Sequence, residues 1–335
     1  MEREHNPRLT SSEISIMWSS YVNNSFSKCI MEYFLANVDE PDIKSILEFA
    51  LNISQKMLNM SKEILKKDNQ PIPVGFTDED VSPSSPRLFS DAFYLYYIKN
   101  MSKVGLSIYG VALATSAHSD VRDFLSQAIQ ASIELYNKTA NVLLSKGLFV
   151  RPPYVSTPDS VDFIDKKKYL GGFLNLNNRP LNVIEITHIA ANIEANEVGR
   201  ALLEGFAQVA KSEKVSDYCN RGKEISKKHI QLFSSMLTED DIPAPAAWDL
   251  EVTDSTFTPF SDKLIMFHII LLIASSISNY ATASAASLRM DIAASYVRLT
   301  AENAQYAKDG VNLMIENEWL EQPPQAPNHK GLAKD

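Results

Sequence analysis

Phe89-Ser90-Asp91 returns later in the chain as Phe260-Ser261-Asp262, and reading outward from this pair decides the fold. Pro71-Ile72-Pro73 is answered by Pro243-Ala244-Pro245, and Pro152-Pro153 by Pro323-Pro324, all at an offset of 171 or 172 residues. Within the segment that begins at Phe89, residues Ser107, Tyr109, Ala112, Ala114, Ser116 and Asp120 also recur at offset 171. A fixed period of this length is the mark of a duplicated domain. Each copy then serves as a control on the other: a residue present in both belongs to the shared scaffold or a shared site.

Each copy reads as four long amphipathic helices. Ile14, Met17, Trp18, Tyr21, Val22, Cys29, Ile30 and Tyr33 keep a 3–4 spacing over Ser11–Asn37. Further helices are predicted over 42–66, 89–117 and 121–146, with counterparts near 183–211, 214–237, 260–288 and 292–318. No run of alternating polarity argues for a strand. Thr10-x-x-Glu13 and Asn182-x-x-Glu185 are a repeated capping box, and Pro41 suits a first helical position. Helices 1–2 and 3–4 are joined by a few residues, which makes them antiparallel neighbours. The second and third helices are joined by a long segment, 67–88 and 238–259, rich in Pro, Asp and Ser. A helix of this size is roughly 40 Å long. The connecting segment reaches up to about 65 Å when extended, enough to run the length of a bundle.

The expected fold class is therefore all-α: two tandem ferritin-like four-helix bundles, each with a long crossover between helices 2 and 3. The expected domains are 1–150 and 181–321, with a linker at 151–180 and a disordered tail at 322–335. Ile72, Val74, Phe76 and Val81, then Trp248, Leu250 and Val252, are expected to pack the crossovers onto the bundles. Phe163, Tyr169 and Phe173 are expected to anchor the linker.

Composition narrows the function. A formal charge of −9 and a single basic run, Lys166-Lys167-Lys168, argue against a nucleic-acid partner. Cys29 and Cys219 fall in apolar helical patterns and are not repeat equivalents, so free buried thiols are expected. Met1–Thr10 has no apolar core and reads as no secretory signal. Leu264–Ser287 is long enough to span a bilayer, but its second half is too polar, so a buried helix is expected and no membrane span. Its equivalent, 92–117, keeps Lys99 and Lys103 and is expected to need less cover. Helix 7 is expected to be covered from outside, leaving Ile269, Ile270, Leu272 and Ile273 largely buried. The small residues Gly105, Ser107, Gly110, Ala112 and Ala114 read as a packing seam.

The doubled unit, the Pro-x-Pro crossover, the Phe-Ser-Asp start of helix 3 and the closing Pro-Pro resemble a family of ferritin-like proteins from spore-forming Gram-positive bacteria. That family is a duplicated domain of unknown function, distantly similar to spore coat protein F. The resemblance implies the fold and a link to sporulation, and no known activity.

Ferritin-like bundles often enclose two metal ions, held by a Glu from each of two helices and a Glu-x-x-His motif from each of the other two. The chain has one such motif, Glu185-Ile-Thr-His188, and His229 lies at a similar height on the next helix. Glu185, His188 and His229 are thus the weak candidate metal ligands, without a converging set of carboxylates. A second constellation recurs in both copies: Lys28 and Glu32 with Asp91 and Asn141, then Arg200 and Glu204 with Asp262 and Asn312. These read as surface pairs and caps, with a polar pocket at the bundle end as the alternative. No nucleophile motif or phosphate loop is present.

The expectation is a non-enzymatic structural or interaction protein of sporulation or the spore coat, with no cofactor. It would sit in the cytoplasm of the sporulating cell or on the spore, with other spore proteins or itself, as a homo-oligomer, as partner. The alternatives are a ferritin-like metalloenzyme near His188 and His229, or a bundle that binds a small ligand.

Overall fold

The computed structural model describes residues 8–171, 179–246 and 250–327. Among these, eight α-helices carry the fold: α1 (Ser11–Asn37), α2 (Pro41–Lys67), α3 (Asp91–Ala114), α4 (Ser119–Ser145), α5 (Val183–Val209), α6 (Glu213–Thr238), α7 (Asp262–Ala286) and α8 (Met290–Glu316). No strand forms among the described residues, only two isolated bridges. Helices α1 and α2 pack together, as do α3 with α4, α5 with α6, and α7 with α8; α2 lies against α4 and α5 against α7. The chain is all-helical, in two repeated halves.

The helix ends show why these boundaries hold. Both capping boxes form, and Pro41 is the first residue of α2. The repeated glutamate does more than cap its own helix. Glu13 accepts the backbone N–H of Thr10 (2.8 Å) and also those of Ala117 (2.8 Å) and His118 (2.6 Å), which precede α4. Glu185 accepts from Asn182 (3.0 Å) and from Arg289 (3.0 Å), the equivalent of His118, and is clamped by both guanidinium nitrogens of Arg179 at 2.8 Å. One carboxylate per half thus satisfies orphan donors at two helix N-termini. Aspartates do the same elsewhere. Asp91 accepts from Asp39 and Glu40 before α2, and Asp262 from Lys211 and Ser212 before α6. Asp68 and Asp240 hold the N–H groups of Leu9 and Leu181 ahead of α1 and α5.

The halves meet through contacts that come in reciprocal pairs. Val81 bridges Phe260, and the equivalent Val252 bridges Phe89, both antiparallel. Ser82 N–H donates to Pro259 O and Thr253 N–H to Leu88 O; Ser261 N–H donates to Asp80 O and Ser90 N–H to Glu251 O. Residues that swap roles in this way are related by an internal two-fold, as across an isologous dimer interface. Near the axis, Tyr97 Oη lies 3.1 Å from Nε2 of its own equivalent, His268. Phe26, Phe206 and Tyr97 ring His268, and one apolar core runs through both halves. These crossover contacts also explain why α3 and α7 start at Asp91 and Asp262 rather than at Phe89 and Phe260: the two phenylalanines are used in the bridges.

Several expectations need correction. Lys99 does not keep α3 wet; it is buried and paired with Glu194 of the other half at 2.9 Å. In α7, Ile269 and Ile273 are buried while Ile270 and Leu272 are half-exposed, and the first half supplies cover through Phe26 and Phe76 against Phe267. Ser107, Gly110 and Ala114 are exposed, so the small residues of α3 do not form one seam. Phe76 and Val81 are buried in the crossover, but Ile72 and Val74 are exposed. Phe163 is 93% exposed and anchors nothing, whereas Tyr169 lies 4.0 Å under the Arg179 guanidinium. Phe173, Trp248 and most of the tail lie outside the described residues. Asp262–Ala286 is long and apolar enough to cross a membrane by composition, the one such helix among the described residues.

Acid stability tests this arrangement. Burial works to raise the Glu13 carboxyl, but hydrogen bonds from Thr10, His118 and Ala117 overcome it and hold the value down at about 2. Its contribution is therefore present above the ordinary carboxylate value and lost as pH falls from about 4.5 through 2. Replacement Glu13→Ala strands backbone donors and should lower stability by about 1–3 kcal/mol in chemical denaturation at pH 7. His268 acts in a higher window. Burial pushes its imidazole down to about 3, so the native state holds it neutral while the unfolded chain takes up a proton below about 6.5. Stability should fall as pH drops from about 6.5, and a His268→Phe variant should lose less over that span in a thermal titration.

Candidate functional site

The three candidate metal ligands are not brought together. Glu185 is fully buried and its oxygens are occupied by Arg179, Asn182 and Arg289. Those partners hold its carboxyl below the usual range against the opposing effect of burial. His188 is half-exposed on α5. His229 is buried on α6, with Nδ1 at 3.0 Å from Tyr280 Oη and Nε2 at 3.2 Å from Glu302. Among the described residues, no group of three or more His, Cys, Asp or Glu side chains is placed to hold a metal ion. The carboxylate beside His229 is Glu302, from α8.

Around His229 lies a polar network that position-by-position comparison of the halves could have revealed. Asn196 on α5 donates to Tyr280 Oη at 2.8 Å, and Tyr280 in turn meets His229. Lys228 grips both oxygens of Glu302 at 2.7 and 2.9 Å, fixing the acid that faces His229. Burial lowers the His229 value and the Glu302 contact opposes it, while burial pushes the Tyr280 hydroxyl up to about 12. The Asn–Tyr part is shared: Asn24 and Tyr109 occupy the equivalent positions and interact. The His–Glu part is not, because Met57 and Ala131 stand there in the first half. A neutral histidine held between a tyrosine and a salt-bridged acid has both ring nitrogens committed. Such a network fixes the orientation of the His229, Tyr280 and Glu302 side chains.

The repeated polar ends also separate. Lys28 reaches Glu32 (3.4 Å) and Asp78 (2.8 Å), Asp91 and Asp262 cap helices as described, and Asn141 is exposed. Asn312 lines an open cleft of about 410 Å³ between α6 and α8 with Lys214, Asp217, Arg221, Asp309 and Glu316, without Glu204 or Asp262.

Tyr218, which also lines that cleft, makes a contact that sequence reasoning missed. Tyr218 and Tyr306 stack at 4.3 Å, and each hydroxyl donates to the other's backbone carbonyl at 2.8 Å. Gly222 and Gly310, each four residues on, leave the room the hydroxyls fill. Arg221 covers both rings and pairs with Asp309 at 2.9 Å. The first half has Ile46, Ala50, Leu135 and Thr139 at these positions, and there the backbones of α2 and α4 approach closely, whereas those of α6 and α8 stand further apart and meet through long side chains. The signal was present as Tyr-x-x-x-Gly on two facing helices. Cys29 and Cys219 are free and buried, and burial pushes both thiols up to about 12, far from a reactive thiolate.

The family described as "Protein of unknown function (DUF3231)" matches twice, over residues 2–161 and 171–332, and the chain belongs to that family. A crystal structure of a candidate spore coat protein from Bacillus halodurans C-125 is similar at 20% identity and a TM-score of 0.42, over 45% of this chain and 98% of the other. A search of curated proteins finds no match.

Three substitutions probe the core groups. Gly310→Ala places a methyl against the Tyr218 hydroxyl and should cost about 1–3 kcal/mol in urea unfolding, with Gly222→Ala close to it. Tyr280→Phe leaves Asn196 and His229 without a shared partner and should cost about 1–3 kcal/mol.

Proposed function

We propose that this chain is a non-enzymatic structural or interaction protein of the sporulating cell, built on two ferritin-like bundles that no longer serve as metal centres. The observation that carries the reading is the commitment of the core's ionisable groups. Glu13 and Glu185 hold helix ends together, His229 is closed between Tyr280 and Glu302, and Lys99 is spent on Glu194. The bundle reading is supported by the paired antiparallel helices and by the long segments 68–90 and 239–261 between helices 2 and 3 of each half. The link to sporulation rests on the sequence landmarks shared with relatives of spore coat protein F. Its place is then the cytoplasm of the sporulating cell or the spore itself, and its partners are other spore proteins or further copies of the chain.

The expected outcome is measurable on both counts. Antibody detection across a growth and sporulation time course should find the protein only after sporulation begins, fractionating with spore layers; abundance confined to vegetative cells would reject the assignment. Elemental analysis of the purified protein should find iron, manganese and zinc well below one per chain. Near-equimolar metal that disappears in a His229→Ala variant would favour a metalloenzyme instead, because His229–Glu302 is the His–carboxylate contact of the described core.

A further inference from the structure

The two halves are equivalent in sequence position and reciprocal in contact, yet their shared face is not the same on both sides. The largest departure is the buried pair Lys99–Glu194, whose side chains are 4% and 9% exposed. Lys99 also lies 4.2 Å over the Phe149 ring, and Lys103 and Tyr136 are within electrostatic reach of Glu194. The two-fold places Ile270, Leu320, Ala274 and Ala307 at the equivalents of Lys99, Phe149, Lys103 and Tyr136, and Val22 at the equivalent of Glu194. The polar receptor exists on the first half alone, and the acid that enters it exists on the second half alone.

A second, steric departure reinforces the first. Tyr33 packs edge-on against Phe260 at 5.0 Å, with its hydroxyl on Pro86 O. Its equivalent is Gly205, and a side chain there would meet the Phe89 ring at 2.6 Å. Tyr33 thus fills the space opposite Phe260, whereas opposite Phe89 the glycine leaves that space to the ring itself.

We infer that the face between the halves is a pairing code: it accepts a first half against a second half and rejects either half against its own kind. If two first halves met, Lys99 would be buried against Val22 with no acid. If two second halves met, Glu194 would be buried against Ile270 with no cation. An unpaired buried charge is strongly destabilising, whereas an apolar pair of similar size is tolerated, so the ion pair acts through specificity more than through its own strength. The partner that fits the face is a complementary half, whether from the same chain or, across the long segment between α4 and α5, from a second copy.

The test uses full-length chains with opposite defects. Lys99→Glu sets two acids against each other, and Glu194→Lys sets two cations together. Each variant alone should melt at least about 5 °C below the wild type or lose solubility. Co-expressed, the two should recover wild-type melting as a species of twice the wild-type mass. In that species each half finds its complement on the other chain, as light scattering and differential tagging would show. A Lys99→Ile/Glu194→Val chain, which installs the apolar pair of the reciprocal position, should melt within a few degrees of the wild type and so show that the face itself still folds. Wild-type melting in either single variant would overturn the proposal. So would destabilised singles that fail to form the exchanged species while the apolar double variant folds normally, since the pair would then be an ordinary contact and not a code.

Discussion

The two-fold contact between the halves is the constraint on which the rest depends. The first halves of α3 and α7 are apolar around most of their circumference, more than four helices can cover. Phe93, Tyr94, Tyr96 and Tyr97 in one and Leu264, Ile265, Met266 and His268 in the other are all buried. Burying both requires each half to act as the outer layer of the other. The crossovers then become part of that layer, which is why the backbone pairing outside the helices falls at Val81, Phe89, Val252 and Phe260. Side chains near the axis meet their own equivalents, and Tyr97 against His268 is the most direct case.

Around that contact the polar residues serve structure. A helix of 27 residues leaves several N–H groups without partners at its start, and each half answers with acids shared between neighbouring helices. Glu13 and Glu185 tie the starts of the first and fourth helices of their halves, and Asp91 and Asp262 tie the third to the second. These residues recur because both copies inherited the same geometric problem. At two places where the copies diverge within a bundle, the exchanged side chains match one another. His229 with Glu302 replaces Met57 with Ala131, the Tyr218–Tyr306 clasp replaces Ile46 with Leu135, and glycines open the space that the tyrosines fill.

The duplication, the eight helices, the capping boxes and the short and long connections were legible in the sequence because each is written in local spacing. Helix ends fell within a few residues of expectation, since caps and prolines act on their nearest neighbours. The metal candidates were legible only as residue types. Glu185 reads as a ligand or a cap from sequence alone, and only the fold shows that it accepts from Arg179, Asn182 and the backbone of Arg289. Lys99 was misread for the same reason. A lysine in an apolar helix signals solvent unless a buried acid waits opposite, and Glu194 lies on another half, 95 positions away.

By itself the sequence determined that this protein is a helical chain built twice on one plan, because period, periodicity and caps are properties of short stretches. The tertiary structure alone decided how the two copies face each other, which charges are buried in pairs, and which repeated acids are structural. Those outcomes depend on the meeting of side chains that no local pattern connects: the energy of a buried charge is set by its partner, and the partner is chosen by the fold.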